Sequence, residues 1–228
     1  MDANNYLISN CPETIRYIPN FISEEEEEYL LHLVNNAPTP KWDYLSHRRL
    51  QMYGGIINKK KILIPDEGIP QGFDYIIDKI MSLKNSFEKD KRPNHLLVNE
   101  YLPGQGIMPH TDGDAYNPLV ATVSLGSPTM LDFHKALDKE CVLPFEKRYI
   151  GSMYLEPRSL IMLSNDIYSN HCHSIAEREE DIITNKVFNL DKIEGKVDDV
   201  IKRGTRISLT YRHVDKISKL NIMNLLKR

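Results

Sequence analysis

A chain of 228 residues with 41% hydrophobic and 27% charged residues has the composition of a soluble globular protein with one substantial core. A formal net charge of −3 excludes a broadly basic coat of the kind that holds long nucleic acid; only local basic patches remain available. Three cysteines (Cys11, Cys141, Cys172) make no disulfide framework, and no apolar run reaches the ~18 residues of a membrane span. The first residues lack a basic segment followed by an apolar one. The expectation is a single domain over 1–228, monomeric, without a membrane partner, in the cytoplasm and/or nucleus.

Ile15 to Ile18 is a short strand candidate ended by Pro19. Ser23 opens a helix: its hydroxyl can accept from a free amide while Glu26, three residues on, reaches back, a capping box. Glu24 to Glu28 put negative charge on the positive end of the helix dipole. Tyr29, Leu30, Leu33 and Val34 form its apolar stripe, and Pro38 and Pro40 end it. Residues 41–64 crowd Trp42, Tyr44, Arg48, Arg49 and Tyr53 together before Gly54-Gly55. Rings with guanidiniums suit a stacked base and a phosphate, and they equally suit a hairpin packed on the core. Lys59-Lys60-Lys61 marks an exposed turn. Phe73, Ile76, Ile77, Ile80 and Leu83 recur at helical spacing, predicting a second helix over about 71–88.

From His95 onward β signals dominate: 95–101, 119–126, 129–133, 149–155, 159–163 and 205–214 are runs punctuated by Gly, Pro and Asn. Two helices followed by many short strands predict an α+β, mainly β fold, a jelly roll with both helices on its outer face. Residues 177–203, dense in charge, read as an inserted, mobile surface loop. Residues 216–228 space Ile217, Leu220, Met223 and Leu226 at helical intervals and predict a C-terminal helical tail.

The chemistry gathers at Asn99 to Asp112, which ends in His110-x-Asp112. Two residues apart on an extended chain, an imidazole and a carboxylate can face one ion, and that donor pair suits a borderline metal such as Fe(II). The pair alone is a weak signal in a chain with 8 histidines and 32 acids. A second histidine would complete a 2-His-1-carboxylate triad, and His171 and His173 both qualify. Cys172 between them reads as an inert core thiol. In Arg206-x-Ser208-x-Thr210-x-Arg212, period two puts two guanidiniums and two hydroxyls on one strand face, which fits a small dicarboxylate as well as a polar outer face.

Together, Asn99-x-Tyr101-x-x-Gly104, His110-x-Asp112, His173-Ser174-Ile175 and Arg206-x-Ser208-Leu209-Thr210-x-Arg212 resemble the AlkB family of Fe(II)/2-oxoglutarate dioxygenases, in the family's own order and over about 40–214. Arg49-Leu50-Gln51-x-x-Gly54-Gly55, Met108-Pro109-His110-x-Asp112-Gly113, Ser124-Leu125-Gly126 and Leu131-Asp132-Phe133 resemble one animal branch of it. The resemblance implies a double-stranded β-helix core and Fe(II) on His110, Asp112 and His173. It implies 2-oxoglutarate held by Asn99, Tyr101, Ser208, Arg206 and Arg212, with Arg206 clamping the distal carboxylate, and O2 as the third reactant. It implies a substrate lid over 41–64 that offers Gln51 and Tyr53. Ser174 departs from the family's glycine, and the gap from His173 to Arg206 is long. The implied activity is oxidative demethylation of N-methylated bases in single-stranded or unstacked DNA or RNA. A protein side-chain oxygenase and a non-catalytic module that binds nucleic acid or a protein partner are the alternatives.

Overall fold

The structure, a computed structural model, describes residues 1–11, 14–136 and 143–220. Its strands are β1 (Ile15–Ile18), β2 (Asp43–Leu45), β3 (Arg48–Tyr53), β4 (Ile56–Ile57), β5 (Leu63–Ile64), β6 (His95–Tyr101), β7 (Ile107–His110) and β8 (Leu119–Gly126). There follow β9 (Thr129–Lys135), β10 (Tyr149–Leu155), β11 (Leu160–Ser164), β12 (His171–Ile175), β13 (Glu180–Ile182), β14 (Val200–Lys202) and β15 (Arg206–Arg212). The helices are α1 (Glu24–Asn35), α2 (Gln71–Met81) and the short α3 (Asn165–Ser169).

A seven-stranded sheet runs β1-β11-β8-β15-β6-β3-β2, and a four-stranded sheet runs β10-β9-β12-β7. All these pairs are antiparallel. From β6 the chain passes back and forth between the two sheets, which is the jelly-roll path and agrees with the expected fold. Apolar residues on the inner faces, among them Tyr101, Leu131, Phe133, Ile161 and Ile175, form the core between the sheets.

The outer face of the large sheet is covered by α1 and α2. Leu30, Val34, Phe73, Ile76, Ile77 and Ile80 pack there on Leu96, Val98, Val123 and Leu209. The capping box of α1 is formed as expected: Glu26 N donates to Ser23 Oγ at 3.2 Å and Ser23 N to Glu26 Oε2 at 2.8 Å. Tyr29, expected in the apolar stripe, is 48% exposed. Helix α2 stops at Met81, short of the expected 88; Ser82 Oγ donates to Lys79 O, and Asn85 takes a left-handed φ of 62° that no helix continues through.

Two segments differ from expectation. Residues 177–203 are not a loose surface loop: β13 pairs with β14, and Ile183 and Val187 pack with Met130 and Tyr154 in a small apolar cluster of their own. The charge that suggested exposure is partly internal, because Asp181 is buried between Arg203 (2.7 and 2.8 Å) and Arg178 (2.8 Å). The helical tail expected over 216–228 is not helical where it is described. Lys216 to Ser218 run alongside β5, with Leu63 N donating to Lys216 O and Ser218 N to Leu63 O, both at 2.8 Å. Residues 221–228 lie outside the described residues.

Candidate metal and co-substrate site

Period-two alternation decides which side chains enter the space between the sheets. β15 lies between β6 and β8 in unbroken register, so Arg206, Ser208, Thr210 and Arg212 all face inward, while Ile207, Leu209 and Tyr211 join the core under the helices. Asn99 and Tyr101 of β6 line the same cavity from beside them. The four-stranded sheet supplies His110 and His173, which are register partners across β7 and β12. Asp112 enters from the loop just past β7, so the chain's path beyond the strand, not strand alternation, brings it in.

The metal-ligand candidates are gathered. The rings of His110 and His173 are 4.5 Å apart between centroids, and His173 Nε2 is 3.9 Å from Asp112 Oδ2. His110 Nδ1 lies 2.8 Å from Met108 O. A carbonyl can only accept, so Nδ1 is the donor here and Nε2 is the nitrogen left to face a metal. Burial, outweighing the pull of Asp112, lowers the His173 pKa to about 4, leaving a neutral imidazole of the kind metals bind. Burial pushes the Asp112 carboxyl up, but Arg212 and then the two histidines hold it below the usual carboxylate range. Its Oδ1 is paired with Arg212 Nη2. Among the described residues, no three His, Cys, Asp or Glu side chains already stand in a closed ligating arrangement. The donor set fits Fe(II): two neutral nitrogens and one anionic oxygen on one side of a cavity.

His171 faces differently. It pairs in register with Lys135, and its Nδ1 lies 3.2 Å from Asp166 O, outside the cavity lining. Of the two histidines that the sequence left open, His173 is the one beside His110.

The other end of the cavity is built for an anion. Arg206 donates from Nη2 to Ser124 Oγ at 3.0 Å, and its guanidinium lies 5.8 Å from the Tyr101 ring centroid. Arg206 Nε and Arg212 Nε are buried without a hydrogen-bond partner. Burial lowers the Arg206 pKa to about 10, the mark of a cation far from water and short of a counter-charge. A dicarboxylate would satisfy those donors.

The expected substrate pair is elsewhere. Gln51 and Tyr53 of β3 align with Val98 and Leu96, whose side chains lie under the helices, so they share that face. Both are buried there: Tyr53 OH donates to Gln51 Oε1 at 2.8 Å and Gln51 Nε2 to Val34 O at 2.9 Å. The neighbouring aromatics and cations meet one another. Arg49 lies 4.0 Å from the Trp42 ring centroid and grips Glu100 with two hydrogen bonds of 2.7 and 2.8 Å. Arg48, Leu50 and Met52 have the opposite parity on β3, and none of them lines the cavity. Arg48 Nε donates to Asn99 Oδ1 at 3.1 Å. The sequence offered Arg48 only as one of several crowded cations; the register of β3 on β6 is what sets it beside Asn99.

Comparison with known proteins agrees with this geometry. Residues 14–212 match the family model of the 2OG-Fe(II) oxygenase superfamily. The chain belongs to that superfamily. It is similar to a zebrafish (Danio rerio) protein named "Probable RNA/DNA demethylase ALKBH6", 42% identical over 97% of this chain and 94% of that one. It is also similar to an uncharacterized protein, L905, of Acanthamoeba polyphaga mimivirus, 32% identical over 90% and 88%. The solved structure of OsALKBH1 superposes with a TM-score of 0.59 over 90% of this chain and all of that one, at 13% identity, a likeness of fold. The chain is therefore an AlkB-type member and an oxidoreductase by class.

Proposed function

We propose that this 2OG-Fe(II) oxygenase is an oxidative demethylase of N-methylated nucleic acid bases, releasing succinate, CO2 and formaldehyde. The observation that carries the reading is the inward convergence of His110, Asp112 and His173 on a cavity that Arg206 lines as well, its buried Nε without a hydrogen-bond partner. A nucleic acid substrate is supported by the name of the zebrafish relative and by Lys59 and Lys60, which carry no ion pair among the described residues. These lysines share a turn with Lys61, which pairs with Asp114, two residues past the proposed metal ligand.

In this reading His110 Nε2, Asp112 and His173 hold Fe(II). Arg206 takes the distal carboxylate of 2-oxoglutarate, Ser208, Asn99 and Tyr101 orient it, and Arg212 stands beside Asp112 at the metal end. Fe(II) and 2-oxoglutarate held there would supply, with O2, the oxidising power to place one oxygen atom in a methyl C–H bond and the other in succinate, with loss of CO2. The hydroxymethyl group then leaves the base: the hydroxyl gives up its proton as the C=O bond forms, the N–C electron pair goes to the nitrogen, which a proton can neutralise, and formaldehyde departs. The chain's part is to position and to exclude water, with Leu131, Ile161 and Ile175 as the apolar wall. A base has to leave its stack to reach such a cavity, so single-stranded or unstacked DNA or RNA is the natural partner, and the cytoplasm and/or nucleus the place of work.

The test is succinate formation from 2-oxoglutarate by the Fe(II)-loaded protein, alone and with methylated oligonucleotides and methylated peptides. Stimulation by an oligonucleotide supports the reading. Stimulation by peptides alone would replace it with a protein oxygenase, and no turnover in an iron-loaded protein with a binding module.

A further inference from the structure

The charges around the cavity are unequal. Asp112 is the one carboxylate among the described residues lining it, and Arg212 already pairs with that carboxylate. Arg206 is a second cation, buried at the far end. Arg48 is a third, half-buried just behind the lining residue Asn99, to whose neutral side-chain oxygen its Nε donates at 3.1 Å. It forms no ion pair among the described residues. Two acids close in sequence to the lining residues are already paired: Asp114, two residues past Asp112, with Lys61, and Glu100 with Arg49 on the other face of the sheet. Three guanidiniums against one carboxylate leave a surplus of two positive charges. A dianionic co-substrate offsets that surplus and a divalent metal restores it, so no stage of loading leaves a carboxylate free to receive a cation.

N-methylated bases fall into two electrostatic classes. Methylation at a ring nitrogen of adenine or cytosine (1-methyladenine, 3-methylcytosine) gives a cation at neutral pH. Methylation at N3 of uracil or thymine, or on an exocyclic amine, leaves the base neutral. A low-dielectric cavity magnifies this difference, and a like charge facing the base acts against the wrong class.

We infer that the substrate is a neutral N-methylated base and that Arg48, the guanidinium left over behind the cavity wall, rejects the cationic ones. The inference rests on the demethylase reading above and narrows it. Arg48 is thereby assigned as a specificity-determining residue: it is hydrogen-bonded to the cavity-lining Asn99, and the register of β3 on β6 holds it there.

The decisive comparison uses 3-methylcytosine and 3-methyluracil in otherwise identical single-stranded oligonucleotides, because the methyl sits on the same ring nitrogen and the bases differ in charge. Two readouts are taken: binding, by fluorescence anisotropy with Mn(II) in place of Fe(II) and 2-oxoglutarate present; and formaldehyde release by the Fe(II) protein. The expected result is tighter binding and faster release for 3-methyluracil, on the order of tenfold, the effect of one like charge about 10 Å away. Arg48→Glu should abolish or invert that ratio, and Arg48→Gln, which keeps length and polarity and covers the case of a poorly folding glutamate variant, should narrow it. Equal or better use of 3-methylcytosine by the native protein, or a ratio unmoved in a folded Arg48 variant, would overturn the inference while leaving the demethylase reading intact. Failure of both oligonucleotides to exceed an unmethylated control would overturn that reading and the inference with it.

Discussion

His110 and His173 face each other as register partners on adjacent strands, with ring centroids 4.5 Å apart, on the inner face of the smaller sheet. The pairing of β7 with β12 thus brings together two residues 63 positions apart in the chain, and Asp112 joins them from the loop that follows β7. If they hold the metal, His110→Ala and His173→Ala should each weaken metal binding by more than the ~10–100-fold that loss of an outer-shell partner costs. His171→Ala should leave it nearly unchanged. Titration calorimetry with Mn(II) checks all three, and a His171 variant that loses the metal would reassign the ligand.

The orphan donors of Arg206 predict a binding role for it that catalysis need not report. Arg206→Gln keeps polarity but removes the charge, and it should weaken 2-oxoglutarate by roughly 2–5 kcal/mol, the range for truncating one partner of a buried charge pair. Calorimetry on the Mn(II)-loaded variant gives that number directly. Because Arg206 is buried without a counter-charge, the ligand-free variant should be as stable as the native protein or more so.

Asp181 should matter to folding and to its pH dependence. Its side chain is 1% exposed and that of Arg203 5%. Arg203→Ala is expected to destabilise the chain toward the low end of roughly 3–5 kcal/mol, since Arg178 remains as a partner. Burial alone would raise the Asp181 carboxyl, but the hydrogen bond and charge of Arg203, then Arg178, bring it below its ordinary value. A carboxylate with a folded pKa below the unfolded one adds stability at pH values above the unfolded value, about 3.9, and loses it as the pH falls through the folded one. The melting temperature of Asp181→Asn should therefore lie below that of the native protein at pH 7, and the gap should close below about pH 4.

Tyr53→Phe separates structure from recognition. It removes the hydroxyl that donates to Gln51, under the helices, so it should cost about 0.5–1.5 kcal/mol of stability. Oligonucleotide binding by the folded variant should not change. A variant of native stability with weakened oligonucleotide binding would return Tyr53 to the substrate.

Much of this was readable from the chain, for reasons that differ residue by residue. That Arg206, Ser208, Thr210 and Arg212 share one face followed from alternation; that this face points inward came from the pairing of β15 between β6 and β8. The start of α1 followed from Ser23 and Glu26, a purely local device. What escaped was long-range register. Strand parity cannot separate His171 from His173; the family resemblance favoured His173, and the pairing of β12 with β7 is what sets it beside His110. Gln51 and Tyr53 lie on the face of β3 that packs under the helices, a placement set by the register on β6 that the segment's composition does not show. The segment 177–203 looked loose because charge was taken as exposure, whereas Asp181 and its two arginines carry their charge inward.

The most direct test of the central claim is the stoichiometry of succinate and formaldehyde when the Fe(II)-loaded protein acts on a single-stranded oligonucleotide with one N-methylated base. The account predicts one formaldehyde for each succinate formed above the substrate-free rate, and neither product from Asp112→Ala that retains its fold. Succinate stimulated by the oligonucleotide without formaldehyde, or formaldehyde that persists in Asp112→Ala, would contradict it.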